Sequence, residues 1–130
     1  MKILLDTHVW LWTLSAPERL STATQDLLLQ AQTEPFLSAA SVWEIAIKYQ
    51  LGKLPLPETP EAFIPKRLLR DGITPLMVSH LHAARVATLP RHHQDPFDRL
   101  LIAQAQLEKV PLMTADEKFR AYDVELLQAT

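Results

Sequence analysis

The chain has 130 residues, enough for one domain with a single sizeable core, and 48% of them are hydrophobic, as in a folded globular protein. Thirteen basic and fifteen acidic residues give a formal net charge of −2, which excludes a nucleic-acid binder that depends on a broad basic surface. The absence of cysteine excludes disulfides and thiolate zinc sites, and it suits a reducing compartment.

The N-terminal stretch loosely resembles a signal peptide, because MKILL is followed by VWLWTLSA. Asp6 and His8 interrupt its apolar segment, which argues against export. No stretch of the sequence approaches the roughly 18 apolar residues of a membrane span. We therefore expect a cytoplasmic protein without a membrane partner.

Short apolar runs alternate with helical patterns, and no repeat or linker divides the chain, which predicts one domain over residues 1–130. In chain order, we expect a strand at 2–5, a helix at 21–32, a strand at 35–39, helices at 41–52 and 60–72, a strand at 73–78, helices at 79–89 and 95–109, a strand at 111–115, a short helix at 116–122 and a strand at 124–127. Ser41 and Gly52 are the expected ends of one helix, and Pro65 is a potential kink in the next. This alternation predicts an α/β fold with a mostly parallel central sheet flanked by helices.

Acidic residues fall where such a fold binds ligands, beyond the carboxyl ends of the strands. Asp6 follows the first strand directly, and Asp116 follows the strand at 111–115. Glu44 lies in the first turn of the helix at 41–52. Asp95 and Asp98 lie in the first turn of the helix that leads into the strand at 111–115. We therefore expect these carboxylates to meet at one edge of the sheet.

Each acid taken alone also has an ordinary structural explanation. Ser41 and Glu44 fit a capping box, and Asp95 before Pro96 fits an N-cap with proline at the first helical position. Asp98 suits the positive end of a helix dipole.

Taken together, the acids are harder to explain as caps. Ionised carboxylates within a few ångströms repel one another, which raises their pKa values or destabilises the fold, and a bound cation removes this repulsion. A set of oxygen ligands without cysteine suits Mg²⁺ or Mn²⁺ rather than zinc. Such an ion can activate water and neutralise phosphate charge, so the pattern favours metal-assisted phosphodiester hydrolysis.

Four segments of the chain resemble the PIN-domain nucleases, and more closely the VapC-type toxins of bacterial toxin–antitoxin pairs. They are ILLDTHVWLW at the start, SVWEIAIK in the middle, DPFDRLLIAQA, and LMTADEKF. They occur in the order of the family, from the first strand to the end of the chain. The resemblance implies a PIN-like three-layer α/β/α fold and an endoribonuclease that depends on Mg²⁺ or Mn²⁺. It also implies an RNA substrate, a homodimer, and inhibition by a VapB-like antitoxin.

The resemblance also assigns site residues. The acidic quartet of the family maps onto Asp6, Glu44, Asp98 and Asp116 as metal-binding and catalytic residues. Thr114 resembles a position that helps to orient the site, and Asp95 is typical of the branch that bears DPFDR. Because Pro96 fits the first helical position, we expect Asp95 to be mainly the cap and Asp98 mainly the ligand.

Other residues admit two interpretations each. His92 and His93 could hold zinc, but without a third ligand at a recognisable spacing we expect solvated loop residues. Trp10, Trp12 and Trp43 could stack on bases or hold a partner, although core packing is the usual role of aromatics at helical spacing.

Basic residues are densest between positions 48 and 70, where a solvated helix face and an RNA-backbone patch are both possible. The residues of this stretch are Lys48, Lys53, Lys66, Arg67 and Arg70. Arg99, beside Asp98, could pair with a neighbouring acid. The candidates for RNA contact are Lys48, Lys53, Arg67 and Arg99. An antitoxin is expected to lay an apolar helix against the N-terminal half, near Trp10 and Trp12.

Three other functions suit a fold of this class and size. A phosphoacceptor receiver domain needs an adjacent acid pair after the first strand, where this chain has Thr7 after Asp6. A haloacid-dehalogenase-like phosphatase needs a second aspartate two residues after the first, where this chain has His8. A catalytically silent module that keeps the fold for binding or regulation remains the alternative to an enzyme.

Overall fold

A parallel sheet of five strands forms the centre of the molecule, which we describe from a computed structural model of residues 1–130. The strands are β1 (Lys2–Leu5), β2 (Glu34–Ser38), β3 (Thr74–Leu76), β4 (Leu112–Thr114) and β5 (Leu126–Gln128). They lie in the order β3-β2-β1-β4-β5, and every neighbouring pair is parallel. The first strand is central, so its carboxyl end lies in the middle of one edge of the sheet.

Six α-helices connect and cover the strands, as a parallel sheet requires. They are α1 (Thr7–Ser15), α2 (Thr22–Leu29), α3 (Ala39–Gln50), α4 (Pro60–Asp71), α5 (His80–Arg85) and α6 (Pro96–Glu108). Short 3₁₀ turns occupy Pro17–Arg19, Val86–Thr88 and Glu117–Ala121. None of the helices combines the length and the apolar character that crossing a membrane would need.

The central strand KILL contributes to a hydrophobic cluster on each face of the sheet. Ile3 and Leu5 belong to the cluster that contains Trp10 of α1, whereas Leu4 belongs to the cluster that contains Leu101 of α6. This division follows from the alternation of side chains along a strand. Because helices cover both faces, all three strand residues are buried.

The predicted fold class is confirmed, and two local predictions were wrong. Residues Thr7–Ser15 form a helix that the sequence pattern had not predicted. Helix α3 begins at Ala39, because the Ser38 hydroxyl accepts a hydrogen bond from the Ala40 N–H (3.0 Å). Ser41 is therefore inside the helix and not its cap, and Glu44 lies in the second turn. Helix α4 continues through Pro65 to Asp71.

Candidate active site

Four acidic residues from separate parts of the chain meet at the carboxyl edge of the sheet. Asp6 directly follows β1, and Asp116 follows β4 after one residue. Glu44 comes from the second turn of α3, and Asp98 comes from the first turn of α6. These are the four positions of the predicted acidic quartet, and the structure brings them together.

Asp6 is buried beside Thr114. The Thr114 hydroxyl donates a hydrogen bond to Asp6 Oδ2 (2.9 Å) and accepts one from the backbone N–H of Asp116 (3.0 Å). Thr114 thus orients one acid and fixes the backbone of another. Asp6 Oδ1 is buried without a hydrogen-bond partner. Burial raises the pKa of Asp6, although the hydrogen bond from Thr114 opposes this.

Glu44 is buried on the other side of the cluster, and only one of its oxygens is paired. Lys48, one turn later in α3, contacts Glu44 Oε2 at 2.8 Å, and this hydrogen bond raises the pKa of Lys48. Glu44 Oε1 is buried and has no partner. Helix α3 is held against the start of α1 by a hydrogen bond from the Thr7 hydroxyl to Ser41 Oγ (2.8 Å).

Asp95 and Asp98 make different contacts, and Asp95 caps the helix as the sequence predicted. Asp95 Oδ1 accepts hydrogen bonds from the N–H groups of Phe97 (2.8 Å) and Asp98 (3.2 Å), with Pro96 at the first helical position. The Asp98 side chain instead faces the other acids. Asp95 is therefore the N-cap of α6, and Asp98 is free to act in the cluster.

The electrostatics of Asp98 indicate how closely the acids share one site. Burial raises the pKa of Asp98 to about 8, and negative charges nearby add to this effect. Those charges, in decreasing order of effect, belong to Asp6, Asp95, Glu44 and Asp116. Near neutral pH, and without a cation, Asp98 therefore holds a proton that an isolated aspartate would lose.

His93 enters the same cluster, so the prediction of a solvated loop residue was wrong for this histidine. Its side chain is buried, and its Nε2 atom lies 2.9 Å from Asp98 Oδ2 and 3.7 Å from Asp116 Oδ2. Its Nδ1 atom accepts a long hydrogen bond from the Asp95 N–H (3.3 Å). His92 is exposed and packs its ring edge-on against Tyr122. Nothing in the local spacing of the two histidines distinguishes them.

Arg99 holds the loop that carries His93. Its guanidinium donates to the backbone carbonyls of Val86, Leu89, Pro90 and His93 and to the Tyr122 hydroxyl, at 2.8–3.4 Å. The Tyr122 hydroxyl also accepts the backbone N–H of His93 (2.7 Å). Arg99 forms no ion pair with an acid, contrary to the sequence interpretation, and its donors face its own chain rather than solvent.

The remaining basic candidates lie in different places. Lys48 is in the cluster itself, and Lys53 is exposed just beyond the end of α3. Arg67 pairs with Asp71 (3.2 Å) and lines a groove that none of the clustered acids lines. Arg91, which the sequence had not singled out, lines a cavity of about 230 Å³ together with His93, Gln94 and Arg99.

The three tryptophans divide between core and surface. Trp10 is fully buried, so no partner can contact it, and Trp12 is partly buried against the same cluster. Trp43 is 61% exposed, and its ring lies edge-on to Phe97 with 5.2 Å between centroids. Since Trp43 precedes Glu44 and Phe97 precedes Asp98, this aromatic pair borders the acidic cluster.

A divalent cation fits the residues present. Asp6 Oδ1, Glu44 Oε1 and His93 Nε2 are all buried without a hydrogen-bond partner, and burial together with the neighbouring acids raises the pKa of the adjacent Asp98. Native proteins rarely bury so many unpaired polar atoms together unless an unseen water or ion satisfies them. His93, Asp98 and Asp116 each offer a ligand atom, and these atoms lie within 4.8 Å of one another.

Comparison with known proteins identifies the family. The sequence profile described as PIN domain matches residues 3–125, nearly the whole chain. The chain therefore belongs to the PIN domain family. It is also similar to ribonuclease VapC16 of Mycobacterium tuberculosis, with 48% identity over 61 residues. That segment is 47% of this chain and 43% of the relative, so the match spans less than half of the curated protein.

Solved structures share the fold over almost their full length. One is VapBC2 from Rickettsia felis, solved bound to a DNA fragment from its promoter. The match covers 100% of this chain and 100% of that chain, with a TM-score of 0.75 and 17% identity. A toxin–antitoxin complex from Klebsiella pneumoniae covers 97% of this chain and 96% of that chain, with a TM-score of 0.64 and 16% identity. At these identities the likeness shows the fold alone.

Proposed function

We propose that this chain is a metal-dependent endoribonuclease that acts as the toxin of a toxin–antitoxin pair. The observation that carries the proposal is the meeting of four carboxylates from four chain segments, with buried oxygens of Asp6 and Glu44 left unpaired. A cluster of this kind is unfavourable by itself and favourable around a hard cation. Membership of the PIN domain family and the partial match to ribonuclease VapC16 support RNA as the substrate.

Each acid has a distinct part in the proposed site. Asp6, fixed by Thr114, and Asp98, at the start of α6, are the central ligands. Asp116 and Glu44 complete the cluster from opposite sides, and Lys48 neutralises part of the charge of Glu44. A bound Mg²⁺ or Mn²⁺ would supply the power to activate water and to neutralise charge on the phosphodiester.

We propose that the rim of the site guides RNA to the acids. The backbone phosphates need positive charge near an acidic centre, and Lys48 and Arg91 provide it, whereas Lys53 lies beyond the far end of α3. The exposed ring of Trp43 offers a stacking surface for an unpaired base next to Glu44. Arg99 is already engaged with its own loop, and Arg67 lies on another surface, so we assign neither to RNA contact.

The test of this function is cleavage of a mixed RNA pool by the purified chain. We expect cleavage with Mg²⁺ or Mn²⁺, none in excess chelator, and none by Asp6→Asn with either ion. Asp123→Asn is the matched control, because Asp123 is an exposed acid outside the cluster and should leave cleavage unchanged. Equal cleavage in chelator would refute metal dependence. RNA binding without cleavage by the wild type would instead support the catalytically silent binding module.

For the antitoxin, we propose a groove beside α2 and α4 as the docking surface. This groove, of about 410 Å³, combines apolar residues such as Leu28, Leu29 and Ile73 with Arg67, Arg70 and Asp71, the acid with which both arginines pair. It suits an amphipathic helix that places its apolar face on the leucines and its acidic residues beside the arginines. Toxin–antitoxin assembly is known for a solved protein of the same fold.

Two measurements test the partners. A small protein encoded beside this chain should co-purify with it, and Leu29→Asp should release that protein without altering RNA cleavage by the free chain. Leu69→Asp is the matched control, since Leu69 is an equally exposed leucine that does not line the groove. Sedimentation at micromolar concentrations should give a homodimer, and a strict monomer would contradict that part of the proposal. We expect all of these events to occur in the cytoplasm.

A further inference from the structure

His93 has a buried nitrogen that no group of the chain satisfies. Its side chain is 8% exposed, and Nε2 forms no hydrogen bond although Asp98 Oδ2 is only 2.9 Å away. Asp116 Oδ2 lies 3.7 Å from the same nitrogen. A buried imidazole nitrogen that approaches two carboxylates without bonding to either needs an explanation.

The separations of His93 Nε2 from the two carboxylate oxygens can be compared with those between ligands of a single ion. Two ligands about 2.1 Å from an octahedral ion are about 3.0 Å apart when adjacent and about 4.2 Å apart when opposite. The separation of 2.9 Å from Nε2 to Asp98 Oδ2 matches that of adjacent ligands, whereas the 3.7 Å to Asp116 Oδ2 lies between the adjacent and opposite separations, so the Asp116 carboxylate would shift on binding the ion. Adjacent ligands direct their lone pairs at the ion rather than at each other, which accounts for a short contact without a hydrogen bond.

The fold holds His93 in this position. Its backbone N–H donates to the Tyr122 hydroxyl (2.7 Å), and its ring packs edge-on against Phe119. Arg99 anchors the preceding loop through four carbonyl groups, including that of His93 itself. A loop residue braced by its backbone on both sides is positioned in advance, as a ligand should be.

We infer that His93 Nε2 is a nitrogen ligand of the metal site, together with Asp98 and Asp116. The inference rests on the proposed function, because it assumes that the acidic cluster binds a divalent cation. A set of one imidazole and two carboxylates departs from the all-oxygen shell that Mg²⁺ prefers. Among divalent ions that also accept carboxylates readily, Mn²⁺ tolerates nitrogen better, so this site prefers Mn²⁺ to Mg²⁺.

Metal binding at Nε2 has one cost. A neutral imidazole that binds an ion through Nε2 carries its proton on Nδ1, where the Asp95 N–H now donates. That contact is 3.3 Å long, beyond the usual range of hydrogen-bond lengths, so the bond itself is weak. Because two N–H donors would then face each other, metal binding also requires the ring or the Asp95 peptide to turn away from this contact.

The experiment uses Mn²⁺ alone as the probe, without RNA. The full chain is loaded with Mn²⁺, and the electron spin echo is recorded with natural-abundance and ¹⁵N-labelled histidine. We expect a nitrogen coupling that changes with the label and is absent in His93→Asn. The same variant should bind Mn²⁺ at least about tenfold more weakly, with Mg²⁺ affinity changed less than about threefold. His92→Asn, the exposed neighbour, is the matched control and should keep both coupling and affinity.

The outcomes separate this inference from the proposed function. Bound Mn²⁺ without histidine coupling in the wild type would overturn the inference and leave the metal-dependent function standing. Failure of the wild type to bind Mn²⁺ or Mg²⁺ would overturn both. If His93→Asn does not fold, the labelled wild-type spectrum decides whether a histidine nitrogen binds the ion, and the spectra of His92→Asn and His8→Asn decide whether it belongs to one of the other two histidines near the cluster.

Discussion

Two buried histidines, His82 and His93, contact opposite parts of helix α6 and differ in how well they are satisfied. Both accept a backbone N–H at Nδ1, from Ser79 (3.0 Å) and from Asp95 (3.3 Å) respectively. Both place Nε2 2.9 Å from a carboxylate oxygen. The contact of His82 with Glu108 is a hydrogen bond, whereas the contact of His93 with Asp98 is not.

The difference lies in what surrounds each pair. His82 meets one carboxylate, and Glu108 is 43% exposed, so solvent supports its charge. His93 meets two carboxylates in a cluster that also contains buried, unpaired oxygens of Asp6 and Glu44. A polar group that serves stability is paired within the chain, while a group that serves binding is left available for a ligand. Removing His82 or Glu108 should therefore reduce the stability of the fold, whereas removing a member of the acidic cluster around His93 should reduce activity.

The largest effect is expected for Asp98→Asn. We expect RNA cleavage to fall by more than the 10–100-fold typical of groups that merely support a metal ligand. Asparagine keeps the shape of the side chain and removes one negative charge from a crowded cluster, so the metal-free variant should be at least as stable as the wild type at pH 7. Cleavage rates and urea unfolding in chelator measure the two quantities. A variant that cuts RNA normally would show that Asp98 does not belong to the site.

The pH dependence of stability sharpens the same point. The pKa of Asp98 is raised from 3.8 to about 8 in the folded chain, so between these values the folded state keeps a proton that the unfolded state releases. The stability that this proton provides is complete below pH 3.8 and is lost as the pH rises towards 8.

In chelator, the melting temperature of Asp98→Asn should therefore exceed that of the wild type by a margin that widens from pH 5 to pH 8. Added Mn²⁺ should narrow or reverse that margin, since the ion stabilises only the form that binds it. Melting curves at half-unit steps of pH provide the measurement. A margin that stays constant with pH would mean that neither burial nor the neighbouring acids raise the pKa of Asp98.

For His82→Ala we expect stability to fall and activity to be kept. The substitution removes the hydrogen-bond partner of Glu108 and the His82 side chain of the capping box formed with Ser79. We expect a loss of about 1–3 kcal/mol of unfolding free energy, the cost of breaking hydrogen bonds to a buried polar group. RNA cleavage by the folded fraction should stay within about twofold of the wild type. Arg85→Ala, on the exposed face of the same helix, is the control for stability. Loss of cleavage at full stability would contradict the structural role of His82.

The start of α6 and the placement of the acids could be predicted because their signals are local. Asp95 before Pro96 specifies an N-cap within two residues, and the observed hydrogen bonds follow it. The acids were assigned to one edge because a parallel sheet brings its strand ends together, whatever the details of packing.

The errors arose where local signals were ambiguous or absent. Residues Thr7–Ser15 are apolar on several sides, so no helical period marks α1. Ser38 and Ser41 both precede apolar residues, and in the structure Ser38 caps the helix while the Ser41 hydroxyl accepts a hydrogen bond from Thr7, 34 residues earlier in the chain. His93 reaches the site only because Arg99 and Tyr122 fold its loop back, and sequence spacing carries no record of such contacts.

Substitutions of Asp95 should have the smallest effects on stability and RNA cleavage. They test whether a side chain that is paired within the chain can also take part in the acidic site. Asp95 lies among the acids and contributes to the repulsion on Asp98, yet its own oxygen is paired with backbone N–H groups as in a structural cluster. Asp95→Ala should cost about 0.5–2 kcal/mol of unfolding free energy through the lost cap. It should reduce RNA cleavage measurably without abolishing it, because the first turn of α6 positions Asp98.

Asp95→Asn separates the two contributions, since asparagine also caps helices but carries no charge. We expect this variant to recover most of the lost stability and most of the lost cleavage, as measured by urea unfolding and initial rates. If Asp95→Asn is as inactive as Asp98→Asn while unfolding like the wild type, the carboxylate of Asp95 acts on the metal or the RNA directly. In that case a residue of this helix could be fully hydrogen-bonded as a cap and still take part in catalysis.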